Sequence, residues 1–151
     1  MIRRAFLALV VAAPAGMARA QDMFTLKPIV KAVREGDDEK VRQALLKGGA
    51  IVDATDREGY TSLFQAAQRG DGEVVDILLK RNAKPNVQSR QGVTALMPAS
   101  RAGYTDIVRA LLAKKADPNT PDFTGRTAVA YARQSGHATI ETMLRKAGGR
   151  E

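Results

Sequence analysis

The chain has 151 residues, a formal net charge of +8, and a composition that is 44% hydrophobic but only 5% aromatic, with no Trp. A length of this order makes one domain, whose core must come from Leu, Val, Ile, Ala and Met. The absence of Cys excludes a disulfide framework and a thiolate metal site.

Residues 1–20 read MIRRAFLALVVAAPAGMARA. Arg3 and Arg4 form a basic start, Ala5 to Ala13 an apolar run, and Ala18-Arg19-Ala20 a small-x-small pattern before Gln21. This order of parts is that of a signal peptide cleaved after Ala20. The apolar run is about half of the ~20 residues a membrane span needs, so no transmembrane span is expected after cleavage. Arg3-Arg4-Ala5-Phe6-Leu7 resembles the twin-arginine core, yet the basic start is short for that class. The general secretory route and the twin-arginine route both stay open. The mature chain would run from residue 21 to 151 and be periplasmic or secreted. Without Arg3, Arg4 and Arg19 it holds 24 − 3 = 21 basic against 16 acidic residues, a net +5.

From residue 56 the sequence repeats itself. Gly59, Gly92 and Gly125 are 33 residues apart, as are Thr61, Thr94 and Thr127, and Gly70, Gly103 and Gly136. A fixed period of this size marks a stacked repeat array. Each copy holds two helical patterns. In the copy at 56–88, Leu63, Ala66 and Ala67 share one helical face behind the capping residue Thr61, and Gly70 stops the helix. Val74, Val75, Leu78 and Leu79 form the stripe of the next helix. The equivalent stripes are Ile107, Val108, Leu111 and Leu112 at 89–121, and Ile140, Met143 and Leu144 at 122–149. Counting back by 33 gives Val41, Leu45 and Leu46 in a copy at 25–55. Gly36 lies 34 before Gly70, which places one extra residue in the first inter-helix turn. Pro28 then falls at the first helical position, where a missing N–H costs nothing.

The pattern D-x-x-G-x-T-x-L-x-x-A-A-x-x-G followed by V-V-x-x-L-L-x-x-x-A-x-x-N resembles the ankyrin repeat. It is carried by Asp56, Gly59, Thr61, Leu63, Ala66, Ala67, Gly70, Leu78, Leu79, Ala83 and Asn86, and again from Gly92 to Asn119. The resemblance implies an all-α solenoid of about four helix–turn–helix repeats joined by hairpin-like loops. The departures are specific. Ser62 and Phe64, Ala95 and Met97, and Ala128 and Ala130 replace the Pro and His of the family's T-P-L-H. Pro98 should remove the first intrahelical hydrogen bond. Lys115 sits where the family uses a left-handed Gly; Gly49 and Gly148 keep it at equivalent helix ends, and Asn82 is tolerable there. Arg145 replaces the second Leu of the L-L pair, as suits a terminal repeat with a wet outer face.

No catalytic constellation stands out, and an enzyme is not expected. His137 is the only His; it follows Gly136 in the family's G-H pair and reads as a turn-ordering residue, since a base or metal site needs convergent partners. Asp37, Asp38 and Glu39 precede a helix, where negative charge suits the N-terminus, and lack the spacing of a cation loop. No cofactor, metal or nucleic acid is expected, and a monomer is.

What remains is a surface. The resemblance implies that partners meet the hairpin tips and the exposed side of the first helices. Those positions are Arg57, Glu58, Tyr60, Gln68 and Arg69, then Arg90, Gln91, Val93, Arg101 and Ala102, then Phe123, Thr124, Arg126, Gln134 and Ser135. Five Arg beside Tyr60 and Phe123 have the composition of an interface and suit an acidic protein. A solvated basic face that keeps the chain soluble is the plain alternative. Exported bacterial ankyrin proteins include immunity and stress-protection factors. The competing function is an envelope-associated protein whose basic face meets anionic lipid or lipopolysaccharide.

Overall fold

The computed structural model describes residues 28–46 and 52–150. The expected signal peptide, its cleavage site, residues 21–27 and the helix end expected at Gly49 lie outside them. The described residues form eight helices: α1 Pro28–Glu35, α2 Asp38–Leu46, α3 Ser62–Arg69, α4 Gly72–Lys80, α5 Leu96–Ala102, α6 Thr105–Ala113, α7 Ala128–Gln134 and α8 Ala138–Lys146. They pair as helical hairpins. The first helices α1, α3, α5 and α7 stack into one layer, and α2, α4, α6 and α8 into a second. One continuous core between the layers includes Ile29, Leu63, Val75, Leu78, Leu96, Leu111, Val129, Ile140 and Leu144, all at most 1% exposed. Apart from Leu46, the stripes read from the sequence therefore face inward, and each hairpin hides its apolar side against its neighbours.

Local chemistry sets the helix boundaries. Thr61 Oγ1 accepts from Phe64 N–H at 3.1 Å, which caps α3. Asp37 and Asp71 cap α2 and α4 by accepting from Lys40 N–H and Val74 N–H. Gly70 ends α3 with φ +79°. A Cβ there would lie 2.5 Å from the Tyr104 ring of the next repeat, so the stop needs Gly for conformation and for close approach alike.

Pro98 behaves as expected. At the equivalent place in the flanking repeats, Gln65 and Tyr131 donate their N–H to the carbonyls of Thr61 and Thr127. Thr94, one period on, accepts instead from Met97 N–H at 3.3 Å, a tighter three-residue turn. Lys115 is left-handed at φ +63°, as is Asn82 at +61°. Arg145 is exposed where Leu79 is buried.

The first repeat needs a correction. The extra residue is not in its inter-helix turn. Asp37 N–H bonds Ala32 O as Asp71 N–H bonds Ala66 O, and Val41 N–H bonds Asp37 O as Val75 N–H bonds Asp71 O. The offset of 34 therefore runs through the whole of α2, which makes Val41 and Leu45 the counterparts of Val75 and Leu79. Leu46 is 71% exposed rather than part of the core stripe. Asp53, Asn86 and Asn119 make equivalent bonds 33 residues apart, so the period is restored by residue 53. The additional residue lies between 46 and 53.

Candidate protein-binding face

Each hairpin loop is a turn closed by its first residue. Asp56, Ser89 and Asp122 donate their N–H to the carbonyls of Tyr60, Val93 and Arg126. Their side chains accept the free N–H groups of the loop, an arrangement short polar side chains favour. Asp56 accepts from Glu58 and Tyr60, Ser89 from Gln91 and Val93, and Asp122 from Thr124 and Arg126. Neighbouring tips are joined by Arg90 N–H to Glu58 O and Phe123 N–H to Gln91 O, both at 3.0 Å. The tips are thus a linked row, on which the Arg side chains are carried.

Asp122 is buried, at 5% exposure. Burial alone would raise its pKa. Hydrogen bonds from the Thr124 and Tyr131 hydroxyls and from the Arg126 and Thr124 N–H groups outweigh burial and hold it well below the usual carboxylate range. Burial and the same bond push the Tyr131 hydroxyl up.

The five Arg of the expected surface divide. Arg69 donates from Nη1 to Val33 O at 2.7 Å and Arg34 O at 3.2 Å, which satisfies the last carbonyls of α1. Arg126 pairs with Asp122 at 3.3 Å and stands 4.8 Å above the Tyr131 ring. Both side chains thus also bond within the fold, and both residues remain exposed. Arg57, Arg90 and Arg101 are exposed and have no side-chain hydrogen bond or ion pair among the described residues. Glu58, Gln68, Ala102, Thr124, Gln134 and Ser135 are exposed as well. Tyr60 is half-buried, stacked on Phe64 at 4.2 Å, with its hydroxyl donating to Gln91 Oε1 at 3.0 Å. Phe123 is 75% exposed, although its ring edge rests on Gly92. Val93 is half-buried and belongs to the core margin.

The structure brings four expected residues, Tyr60, Gln68, Val93 and Arg101, around one cleft of about 120 Å³. Its other walls are Phe64 of α3, Met97 and Pro98 of α5, and Tyr131 of α7. Sequence reasoning did not assign those four to a site. The signal was present at two of them, because Phe64 and Met97 stand where the family pattern has His.

His137 precedes α8 without capping it through its side chain. Its Nε2 lies 3.1 Å from Arg101 O, an acceptor, so the proton sits on Nε2 and the ring holds the end of α5. Its role is to order a turn between repeats. Asp37 pairs with Lys40 at 2.8 Å, and the bonds from Lys40 lower the Asp37 pKa. Asp38 is raised by burial and by Asp71. Among the described residues, no three His, Asp or Glu side chains converge as a metal site would require.

Helical hairpins stacked in two layers, with linked loop tips along one edge, define the class of tandem-repeat scaffolds. A family model for ankyrin repeats (3 copies) matches residues 5–89, and one for ankyrin repeats (many copies) matches residues 84–132. The chain belongs to the ankyrin repeat family, and ankyrin repeats are protein–protein interaction modules. The first match reaches back into the stretch read above as a signal peptide. No curated protein matches the chain. No helix among the described residues is long and apolar enough to cross a membrane.

Proposed function

We propose that the chain is an exported, periplasmic, non-enzymatic module that holds an acidic protein partner. The partner meets the hairpin tips and the exposed side of the first helices. One observation carries the choice of face. Arg57, Arg90 and Arg101 are exposed without partners among the described residues, and Arg101 lines one cleft together with Tyr60, Phe64 and Tyr131. Unpaired Arg beside aromatic side chains fits an interface. The export half rests on Arg3-Arg4, the apolar run and Ala18-Arg19-Ala20. Such a module serves as an immunity or stress-protection factor by covering an acidic region of a toxin or of an enzyme it shields. Reversing Arg90 and Arg101 to Glu should abolish capture of a partner from a periplasmic extract; unchanged capture refutes the assignment. Fractionation with sequencing of the mature N-terminus should place the chain in the periplasm, beginning at Gln21.

A second reading draws on a different edge. Lys80, Lys84, Lys114, Lys115, Lys146 and Arg150 are exposed and form no ion pair among the described residues. An envelope protein meeting anionic lipid or lipopolysaccharide would use them. Sedimentation with anionic vesicles, lost at high salt and at no cost from the Arg90 and Arg101 reversals, favours it.

A further inference from the structure

We propose that the cleft between α3, α5 and α7 is a socket for one apolar side chain of an extended acidic segment. Asp or Glu lies beside that side chain and pairs with Arg101. The inference rests on the protein-binding reading above and adds the chemistry of the segment that docks. Size is the first argument. A cleft of about 120 Å³ is well below the ~300 Å³ at which small-molecule sites begin. It has room for a side chain and not for a metabolite.

The walls are the second argument. Phe64, Met97 and Pro98 are buried and form the apolar floor, and half-buried Val93 stands at its rim; Pro98 brings no N–H that a buried guest would leave unpaired. The Tyr131 hydroxyl already donates to Asp122 at 2.6 Å, and that of Tyr60 to Gln91. Neither hydroxyl is therefore left as a free donor.

Charge complementarity decides the flanking residue. Arg101 is the charged residue of the cleft lining and has no side-chain partner among the described residues. The end of α5 that carries it is held by His137 on the Arg101 carbonyl. Arg90 stands on the neighbouring tip, itself tied to Glu58 O. An apolar anchor followed by a carboxylate satisfies wall and rim together, and Arg is the cation that grips a carboxylate with two donors. A basic segment would meet unpaired like charge.

The test is selection of random displayed peptides on the full chain, followed by fluorescence anisotropy on one selected peptide. The selected peptides should share a Leu, Ile, Met or Phe next to Asp or Glu. Gln68→Trp, an exposed position whose indole would overhang the opening, and Val93→Trp, which fills it, should each weaken binding by about tenfold or more. Arg101→Glu should weaken it similarly, and changing the peptide's acid to Lys should restore it. Peptides without the apolar–acidic pair, no enrichment, or binding indifferent to Gln68→Trp would overturn the proposal. Partner capture that survives Gln68→Trp but not the double Arg reversal would leave the binding face standing and remove the socket. Capture indifferent to every variant would remove the face itself.

Discussion

The Tyr131 hydroxyl donates to Asp122 Oδ2 at 2.6 Å, and the same contact recurs two repeats earlier as Gln65 Nε2 to Asp56 Oδ2 at 2.9 Å. In each case the fourth residue of a first helix reaches back to the residue that closes the hairpin loop. The repeat between them has Pro98 and Ser89 at these two places. Neither has a side chain that reaches the other, and Ser89 Oγ turns to Gln91 instead. The two positions differ together, as a buried acceptor and its donor must if neither is to be left unpaired.

Tyr131→Phe should therefore cost about 2 kcal/mol, the range for a hydrogen bond to a charged group. The pH dependence has a definite sign. The folded-state pKa of Asp122 is depressed. Its contribution is complete well above the unfolded carboxylate value of ~3.9, from about pH 5 upward, and is lost progressively as pH falls below that toward the depressed folded value. Chemical denaturation from pH 7 down to pH 3 should show a steeper loss in the native chain than in Asp122→Asn. Parallel curves would show that the buried carboxylate is not held ionised by its donors.

Leu45 and Leu46 separate the two registers of the first repeat. Leu45→Ala empties a core position at 4% exposure and should cost about 2–5 kcal/mol. Leu46→Ala should stay within about 0.5 kcal/mol. Comparable losses from both would restore the uniform period of 33 through α2.

Those two leucines also show where reading the sequence succeeds and where it stops. Thr61, Gly70, Lys115 and Asn86 were legible because each acts on backbone within its own repeat or its neighbour, at an offset that recurs. Leu46 was not, because a one-residue slip changes which of two adjacent leucines faces inward, and nothing local marks where the slip occurs. The bonds that Arg69 and Arg126 make within the fold were not legible for a related reason. Composition shows that a guanidinium is present, but only packing shows that one meets the α1 carbonyls and the other Asp122. The cleft was half legible: Tyr60, Gln68, Val93 and Arg101 came from the family's docking positions, while Tyr131 needed the fold to bring α7 beside α5.

Lys115 holds a left-handed conformation that costs a residue with a Cβ about 1–2 kcal/mol. Its carbonyl accepts from Asn86 Nδ2 at 3.1 Å, which keeps the turn in place whatever the side chain. Lys115→Gly should relieve the strain, while the added freedom of the unfolded chain offsets part of the gain. A net gain of about 0.5–1 kcal/mol should raise the melting temperature by a few degrees. A lowered melting temperature would mean that the Lys115 side chain contributes more than its backbone costs.

Arg145 tests the ending of the array. Counting by period, it stands where Leu79 is 3% exposed and Leu112 is half-buried. Each of those leucines is covered by a further repeat, since α4 packs on α6 and α6 on α8. Arg145 is exposed and bonds Glu141 from Nε and Nη2 at 3.1 and 3.0 Å. A surface pair of this kind is worth about 0–1 kcal/mol, so its stabilising role is small. Its larger effect is to keep the last repeat from presenting a continuous apolar edge to another molecule. Arg145→Leu should leave the melting temperature of the dilute chain within a few degrees of the native value. Light scattering during gel filtration should then show more concentration-dependent self-association than the native chain shows. A variant that stays monomeric at high concentration would show that the last repeat needs no charged cover.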